Sequence, residues 1–116
     1  MTALDAVHTA IAGFGYPAVP YLYEGKEKKY FTYNYSGNHG ADFGDDTPGC
    51  DLAEVQVHFF MPIVDEKKRE NYTLIRNEIR KALFGNGFTY PSVEVIEEHD
   101  TNTWHLVFEC EYEEEI

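Results

Sequence analysis

The sequence lacks a long apolar run, a cysteine framework and a supply of basic residues. No stretch approaches the roughly 18 apolar residues that a membrane helix needs, and no basic region precedes an apolar block at the N-terminus. We therefore expect a soluble protein that is not exported and has no membrane partner. Cys50 and Cys110 are the only two cysteines in 116 residues. They lack the close spacing of a zinc site, and a disulfide framework would need more than two cysteines.

Basic residues are scarce and clustered. Nine Lys and Arg stand against 21 Asp and Glu, which gives a formal net charge of -12. The basic residues fall in 26–29 and 67–81, whereas residues 82–116 contain nine acids and no base. Because so acidic a surface repels phosphate backbones, we expect no specific nucleic-acid binding. The separated charges favour head-to-tail association of copies. The alternative is an acidic face that only keeps the protein soluble.

Catalytic motifs are also missing from the sequence. It has no nucleophile elbow, phosphate-binding loop, HExxH pair or CxxC pair. His58 and His105 could meet across neighbouring strands beside Glu54 or Glu109, which is the best arrangement for a general base or a metal. Strand histidines beside acids are more often surface pairs, however. We therefore expect no enzyme, no cofactor and no catalytic or metal-binding residue.

The clearest pattern that is present is a strand followed by a helix. Residues 52–61 alternate in polarity, which is typical of a half-buried strand. Asp65 is a candidate N-cap, Gly85 a candidate C-terminal stop, and apolar residues between them recur at spacings of three and four. The spacing predicts a long helix of about nineteen residues that runs back over the apolar strand face. The following residues are predicted to form the core between them: Val55, Val57, Phe59, Ile75, Ile79, Trp104, Leu106 and Phe108.

The remaining elements complete a single domain over residues 1–116. Thr2 and Asp5 resemble a capping box before a short N-terminal helix. Pro17 and Pro20 predict an extended link, residues 28–35 an aromatic strand, and residues 93–112 a C-terminal hairpin. Residues 113–116 are expected to fray. The predicted fold class is α+β, with a single mixed, mostly antiparallel β-sheet, a long helix packed on one face and a short N-terminal helix.

Residues 36–50 have the composition of a long loop. They contain four glycines and no clear periodicity, and loops of this length are usually functional or disordered. We expect the loop to be mobile in the free subunit and to become ordered against a partner. A metal site is the alternative, because His39, Asp42, Asp45 and Asp46 lie close together in the sequence. The spacing does not match a calcium-binding loop, which disfavours it.

The order of the elements resembles a phage protein family. The order, together with the stretch Val55 to Phe60 leading into Tyr72 to Ile79, is similar to the tail terminator family of long-tailed bacteriophages, also called tail-completion or tail-to-head joining proteins. The resemblance covers nearly the whole chain but rests on pattern, and the loop at 36–50 has no counterpart in it. It implies a sheet backed by helices that assembles into a hexameric ring.

The resemblance also implies a role and partners. The ring would cap the tail tube, stop its polymerisation and present a surface for head-tail joining. The partners would be other copies of the chain, the tail tube protein and the head connector or completion protein, and DNA would pass through the ring. The implied location is the virion tail or neck, after assembly in the host cytoplasm. Two alternatives are another phage neck or minor capsid protein, and a small bacterial module that binds a peptide or small ligand.

Assembly contacts are predicted from the separated charges and from aromatic residues on both faces of the strand at 28–35. Buried tyrosines supply affinity, whereas opposite charges steer and orient the copies. The predicted interface residues are Tyr30, Tyr33, Tyr35, His39, Asp42, Asp45, Asp46, Lys67, Lys68, Arg76, Arg80, Glu109 and Glu111.

Overall fold

The computed structural model describes residues 1–41, 44, 49–63 and 72–115. The helices are α1 (Ala3–Ile11), extended by a 3-10 turn at Ala12–Phe14, and α2 (Tyr72–Gly85). The strands are β1 (Ala18–Pro20), β2 (Tyr30–Ala41), β3 (Cys50–Pro62), β4 (Ser92–Glu98) and β5 (Thr103–Glu114). They form one sheet in the order β1-β2-β3-β5-β4, in which β1 runs parallel to β2 and the other neighbours are antiparallel.

The N-terminal helix forms where its cap predicts. The Thr2 hydroxyl accepts a hydrogen bond from the Asp5 amide at 3.2 Å, which satisfies one of the free donors of the first turn. The small side chains of this helix let it lie close to the sheet. Five of its nine residues are buried, and these are Ala3, Ala6, Val7, Ala10 and Ile11.

The two central strands carry the core. Residues of β3 and β5 alternate between a face covered by the helices and a face that no described helix covers. On the covered face, Phe59 pairs with Leu106 and Val57 with Phe108, and all four are at most 1% exposed. The predicted core is confirmed for seven of its eight residues, since Ile75 is only partly buried against it.

The predicted helical layer is wrong. Instead of one long helix on a sheet face, the described residues form two short helices, and α2 has 14 residues. The predicted start of the long helix at Asp65 lies outside the described residues. Among the residues of α2, only Ile79 and Leu83 are fully buried. Such a narrow apolar stripe gives α2 little to bury on a sheet, and α1 covers the core residues of the sheet alongside it.

The predicted loop and the predicted frayed tail are both shorter than expected. Gly37 to Ala41 continue β2 and pair with Cys50 to Glu54, after a register shift between Tyr35 and Gly37. Such a bulge inserts one extra residue, and alternation resumes beyond it. The extra residue interrupts the period of two in the sequence, so the strand is not apparent from its polarity pattern. Residues 42–43 and 45–48 lie outside the described residues, so the mobility of this loop stays a prediction.

At the other end of the chain, Glu114 is held in place as the last residue of β5. Its carboxylate accepts hydrogen bonds from the Ala3 amide and the Tyr35 hydroxyl, both at 2.7 Å, and from the Asn38 side chain at 3.3 Å. The carboxylate thus joins β5 to the first turn of α1 and to both sides of the bulge in β2. A charge at this position also suits the positive end of the α1 dipole. Residues 113 and 114 are therefore ordered by these contacts rather than frayed.

Candidate interaction surface on the open face of the sheet

The sheet has one face that no described helix covers, which we call the open face. Alternation places on it residues whose exposure is mostly intermediate, although Thr32 and Val107 are only 7% and 8% exposed. Its members on β2 and β3 are Tyr30, Thr32, Asn34, Gly37, His39, Leu52, Glu54, Gln56, His58 and Phe60. Its members on β4 and β5 are Glu94, Ile96, Glu98, Thr103, His105, Val107, Glu109 and Glu111. The open face therefore combines aromatic, polar and acidic side chains.

One end of the open face is a stack of aromatic rings. Tyr23 stacks on Tyr30 with ring centroids 4.4 Å apart, Tyr30 on Phe60 at 4.7 Å, and Phe60 on the His105 ring at 4.2 Å. Direct pairing of Tyr30 with Phe60 and of Phe60 with His105 brings the rings together. Cross-strand aromatic pairs stabilise the sheet locally, so this end forms an ordered, partly exposed apolar platform.

Beside the stack, four polar side chains form a continuous chain across β2, β3, β5 and β4. The Asn34 Oδ1 lies 3.2 Å from His58 Nε2, and His58 Nδ1 lies 2.8 Å from His105 Nε2. His105 Nδ1 then lies 2.9 Å from Glu98 Oε1. All four ring nitrogens of the histidines therefore have a polar partner, which leaves none of them directed at an incoming substrate.

Burial changes the acid-base behaviour of two groups on this face. The pKa of His58 is lowered, first because burial disfavours the imidazolium and second because of the charge of His105. The pKa of Tyr30 is raised, first by burial, then by the negative charge of Glu98, and last by the neighbouring Tyr23. Tyr30 thus keeps its proton and presents a neutral hydroxyl.

The other end of the open face is acidic. Glu109 is exposed and accepts a hydrogen bond from the Gln56 side chain at 3.2 Å. Glu54 lies opposite Glu111 and 3.8 Å from the exposed His39 ring. The strands β2 to β5 contain no lysine or arginine, so these carboxylates have no permanent countercharge on the sheet.

A second surface with the opposite charge lies around the end of α2. The Arg80 guanidinium sits 4.5 Å from the centroid of the Tyr90 ring, and its Nε donates to the Pro91 carbonyl at 3.0 Å. Phe84 contacts Tyr90 edge to face and is 58% exposed, and Tyr90 is 51% exposed. We call Arg80, Phe84 and Tyr90, together with the exposed Lys81, the α2 patch. Large exposed aromatic residues beside arginine are typical of interaction sites.

The predicted interface residues fall into four groups: those on the open face, those on α2, those outside the described residues and those on the covered face. Tyr30, His39, Glu109 and Glu111 lie on the open face, and Arg80 lies in the α2 patch. Arg76 lies on the same helix, with its guanidinium 6.0 Å from the Tyr72 ring. Asp42, Asp45, Asp46, Lys67 and Lys68 lie outside the described residues.

The two remaining predicted tyrosines lie on the covered face. Tyr33 is 5% exposed and its hydroxyl lies 3.1 Å from His8 Nδ1, which places it in the core of the subunit. Tyr35 is half-buried and its pKa is raised to about 12, first by burial and then by its hydrogen bond to Glu114. Both hydroxyls therefore serve contacts within the subunit.

Sequence reasoning missed two parts of these surfaces. It did not assign Phe60 or Tyr23 to an aromatic stack, although Phe60 on the polar side of an alternating strand was a usable signal. It also missed Phe84 and Tyr90, because the pairing of a helix end with the following turn depends on tertiary structure. The meeting of His58 and His105 was foreseen, but their connection to Asn34 and Glu98 was not.

Metal-binding clusters and membrane-spanning helices are both absent from the described part of the chain. Within it, no group of three or more His, Cys, Asp or Glu side chains is placed to hold a metal ion. Of the helices in that part, none is long and apolar enough to cross a membrane. The predicted metal alternative at His39, Asp42, Asp45 and Asp46 rests largely on residues beyond it.

Comparison with known proteins gives a likeness of fold. No family model matches the chain, and no curated protein matches it either. Among solved structures, the fold is similar to that of a chain in the virion of the native gene transfer agent particle, with a TM-score of 0.60. The match covers 98% of this chain and 95% of that chain, at 9% sequence identity. At this identity the likeness shows a shared fold.

Proposed function

We propose that this chain is a structural protein of a phage or a phage-like particle. The observation that carries the proposal is the fold similarity to a virion chain, which extends over 98% of this chain and 95% of the other. The similarity therefore involves the whole fold described above rather than a fragment of it. The acidic open face and the basic α2 patch support a role in assembly, since each offers a surface that another copy can cover.

More specifically, we propose that the protein caps the tail tube as a ring, ends tail polymerisation and provides the surface for head-tail joining. Its partners are then other copies of itself, the tail tube protein and the head connector or completion protein, in the tail or neck of the virion. The element order that resembles tail terminators supports this position. A ring of six copies is the number that the resemblance implies.

The contact between copies is proposed to join the open face of one copy to the α2 patch of the next. The two surfaces are different, so the contact is heterologous and closes into a ring where the rotation permits. Glu109 and Glu111 supply negative charge on one side, and Arg80 and Lys81 supply positive charge on the other. Aromatic rings lie on both surfaces, so apolar burial accompanies the charge pairing.

The protein is proposed not to be an enzyme. The best candidate for a general base, the His58 and His105 pair, uses its ring nitrogens within the sheet. Specific nucleic-acid binding is not proposed, since a net charge of -12 repels phosphates. An acidic wall would instead let DNA pass without adhering.

The experiment is electron microscopy of the purified protein, alone and mixed with tail tubes assembled from the tube protein of the same genome. The proposal predicts rings at high protein concentration and a single cap at one end of each tube. Tubes mixed with the protein should stop growing, whereas tubes without it should continue. Binding along the tube wall, or no binding at all, would contradict the capping role.

A further inference from the structure

We propose that His58 and His105 bind one proton between them, as an imidazole and imidazolium pair with Glu98 as its counterion. The site lies on the open face, and its existence does not depend on the proposed function. Each contact from Asn34 to Glu98 requires a hydrogen atom on one of its two partners. At the two ends of this chain of contacts the acceptors are fixed.

At the first end, the Asn34 side chain is held in one orientation. Its Nδ2 donates to the Tyr35 carbonyl at 3.1 Å, so its Oδ1 is the atom that faces His58 Nε2. Exchanging the two atoms would set Oδ1 against a carbonyl oxygen, where no hydrogen is shared. Since Oδ1 can only accept, His58 Nε2 must carry a hydrogen.

At the other end, the acceptor is a carboxylate. Glu98 Oε1 lies 2.9 Å from His105 Nδ1, so this nitrogen must also carry a hydrogen. Between the rings, His58 Nδ1 and His105 Nε2 are 2.8 Å apart, a distance that requires one hydrogen between them rather than two facing lone pairs. The contacts therefore need three ring hydrogens.

Two neutral imidazoles supply only two ring hydrogens, and two imidazolium rings supply four. Three hydrogens mean that the pair holds one extra proton and a single positive charge. A fourth hydrogen would place two N–H groups against each other at 2.8 Å. Burial of His58, whose pKa is lowered, acts in the same direction against a second proton.

The surroundings favour one positive charge at this place. His105 is 16% exposed in its side chain and lies under the Phe60 ring, whose π face attracts a cation. Titratable groups face the pair from every neighbouring strand: Tyr30 on β2, Glu94 and Glu98 on β4, and Glu109 on β5. The strands themselves supply no lysine or arginine, so the proton is the countercharge that this part of the sheet otherwise lacks.

The test is an NMR titration of the full chain labelled with ¹⁵N in its histidine rings. The shifts of the ring nitrogens distinguish N–H from lone-pair nitrogen. Near neutral pH, we expect three hydrogens on the two rings together. From high to low pH, both rings should respond at two shared midpoints separated by more than about one pH unit. Two neutral rings, or two rings that each titrate in one independent step, would overturn the proposal.

Variants then assign the partners. His105→Gln should abolish the two-step response of His58, and an unchanged His58 curve would contradict the pairing. Glu98→Gln should move the first midpoint to lower pH, because it removes the counterion. Glu97→Gln is the matched control, since Glu97 is the neighbouring acid on β4 and lies 4.0 Å from the exposed His99 ring instead. An equal shift from both substitutions would overturn the role of Glu98, and the wild-type titration stands even if a variant fails to fold.

Discussion

The two faces of the sheet are built from the same strands but differ in whether helices cover them. On the covered face, large apolar side chains such as Phe59 and Phe108 are buried within the subunit by the helices. On the open face, aromatic rings and carboxylates remain partly exposed, with no described helix above them. The side chains of the covered face are therefore buried within the subunit, whereas those of the open face keep exposed area that a partner can bury.

The side chains of the open face are nonetheless held in place within the single subunit. Thr32 and Val107 are already buried there by the longer side chains around them. The ring stack and the chain from Asn34 to Glu98 fix the neighbouring rotamers. A preorganised surface loses less conformational entropy on binding. The exposure of side chains on this face therefore reflects a preorganised surface rather than poor packing.

The largest expected effect comes from adjacent phenylalanines on opposite faces. Phe59→Ala should lower the free energy of unfolding by about 3–5 kcal/mol, because Phe59 is 1% exposed and its loss leaves a cavity. Phe60→Ala should lower it by only about 1–2 kcal/mol, since Phe60 loses ring stacking on a surface. Urea titration of both variants measures the difference. Equal losses would mean that the open face is as much a core as the covered one.

A smaller effect is expected at the end of β5, where Glu114 accepts hydrogen bonds from both α1 and β2. Glu114→Ala should lower the free energy of unfolding by about 1–3 kcal/mol, because three hydrogen bonds are lost. Glu115→Ala is the control at the next, exposed position, where a change within about 0.5 kcal/mol is expected. If thermal or urea unfolding does not separate the two variants, Glu114 does not hold the end of the chain.

The smallest expected effect is a pH dependence that arises on the open face. The pKa of His58 is lowered in the folded chain, so below about pH 6.5 the unfolded chain binds a second proton on His58 and His105 that the folded pair resists. Stability should therefore fall as the pH falls through this region. His58→Gln should reduce that loss, and His99→Gln on the exposed turn should not. Urea titrations near pH 7 and pH 5 compare them, and an identical loss in all three proteins would refute the assignment.

The sequence predicted the strands of the core because a strand that is buried on one face alternates apolar and polar residues with a period of two. Val55, Val57 and Phe59 show this directly, and the Thr2 cap was readable from local hydrogen-bonding chemistry. The bulge after Tyr35 broke the period, so five strand residues beyond it were assigned to a loop. The position of β1 at Ala18–Pro20 was not predicted either, since Pro17 and Pro20 indicated only an extended link.

The helical layer and the candidate surfaces depended on information that local patterns do not contain. The apolar spacing between residues 72 and 83 describes a face, but not which neighbour covers it. Tyr33 and Tyr35 had the composition of an interface, yet packing against α1 and Glu114 placed them within the subunit. Tyr30 and Glu109 share the open face because alternation continues across the paired strands, whereas Phe84 and Tyr90 meet only through the turn after α2.

The most direct test of the account is the association of the purified chain. Light scattering across protein concentration and salt should show higher oligomers of the wild type. Phe84→Ser and Glu109→Lys should each weaken association about tenfold or more. Both positions are exposed, so the free energy of unfolding should stay nearly unchanged. Glu115→Lys makes the same change in net charge as Glu109→Lys at an exposed position after β5, beside the start of α1 on the covered side of the sheet, and should not weaken association.

The charge pairing can be tested in the same measurement. Combining Glu109→Lys with Lys81→Glu should restore part of the lost association, because the opposite charges then face each other with their signs exchanged. We expect oligomers for the wild type, Glu115→Lys and the double variant, and their loss in Phe84→Ser and Glu109→Lys. A wild type that stays monomeric under every condition, or single variants that associate as the wild type does, would contradict the claim that the open face meets the α2 patch of another copy.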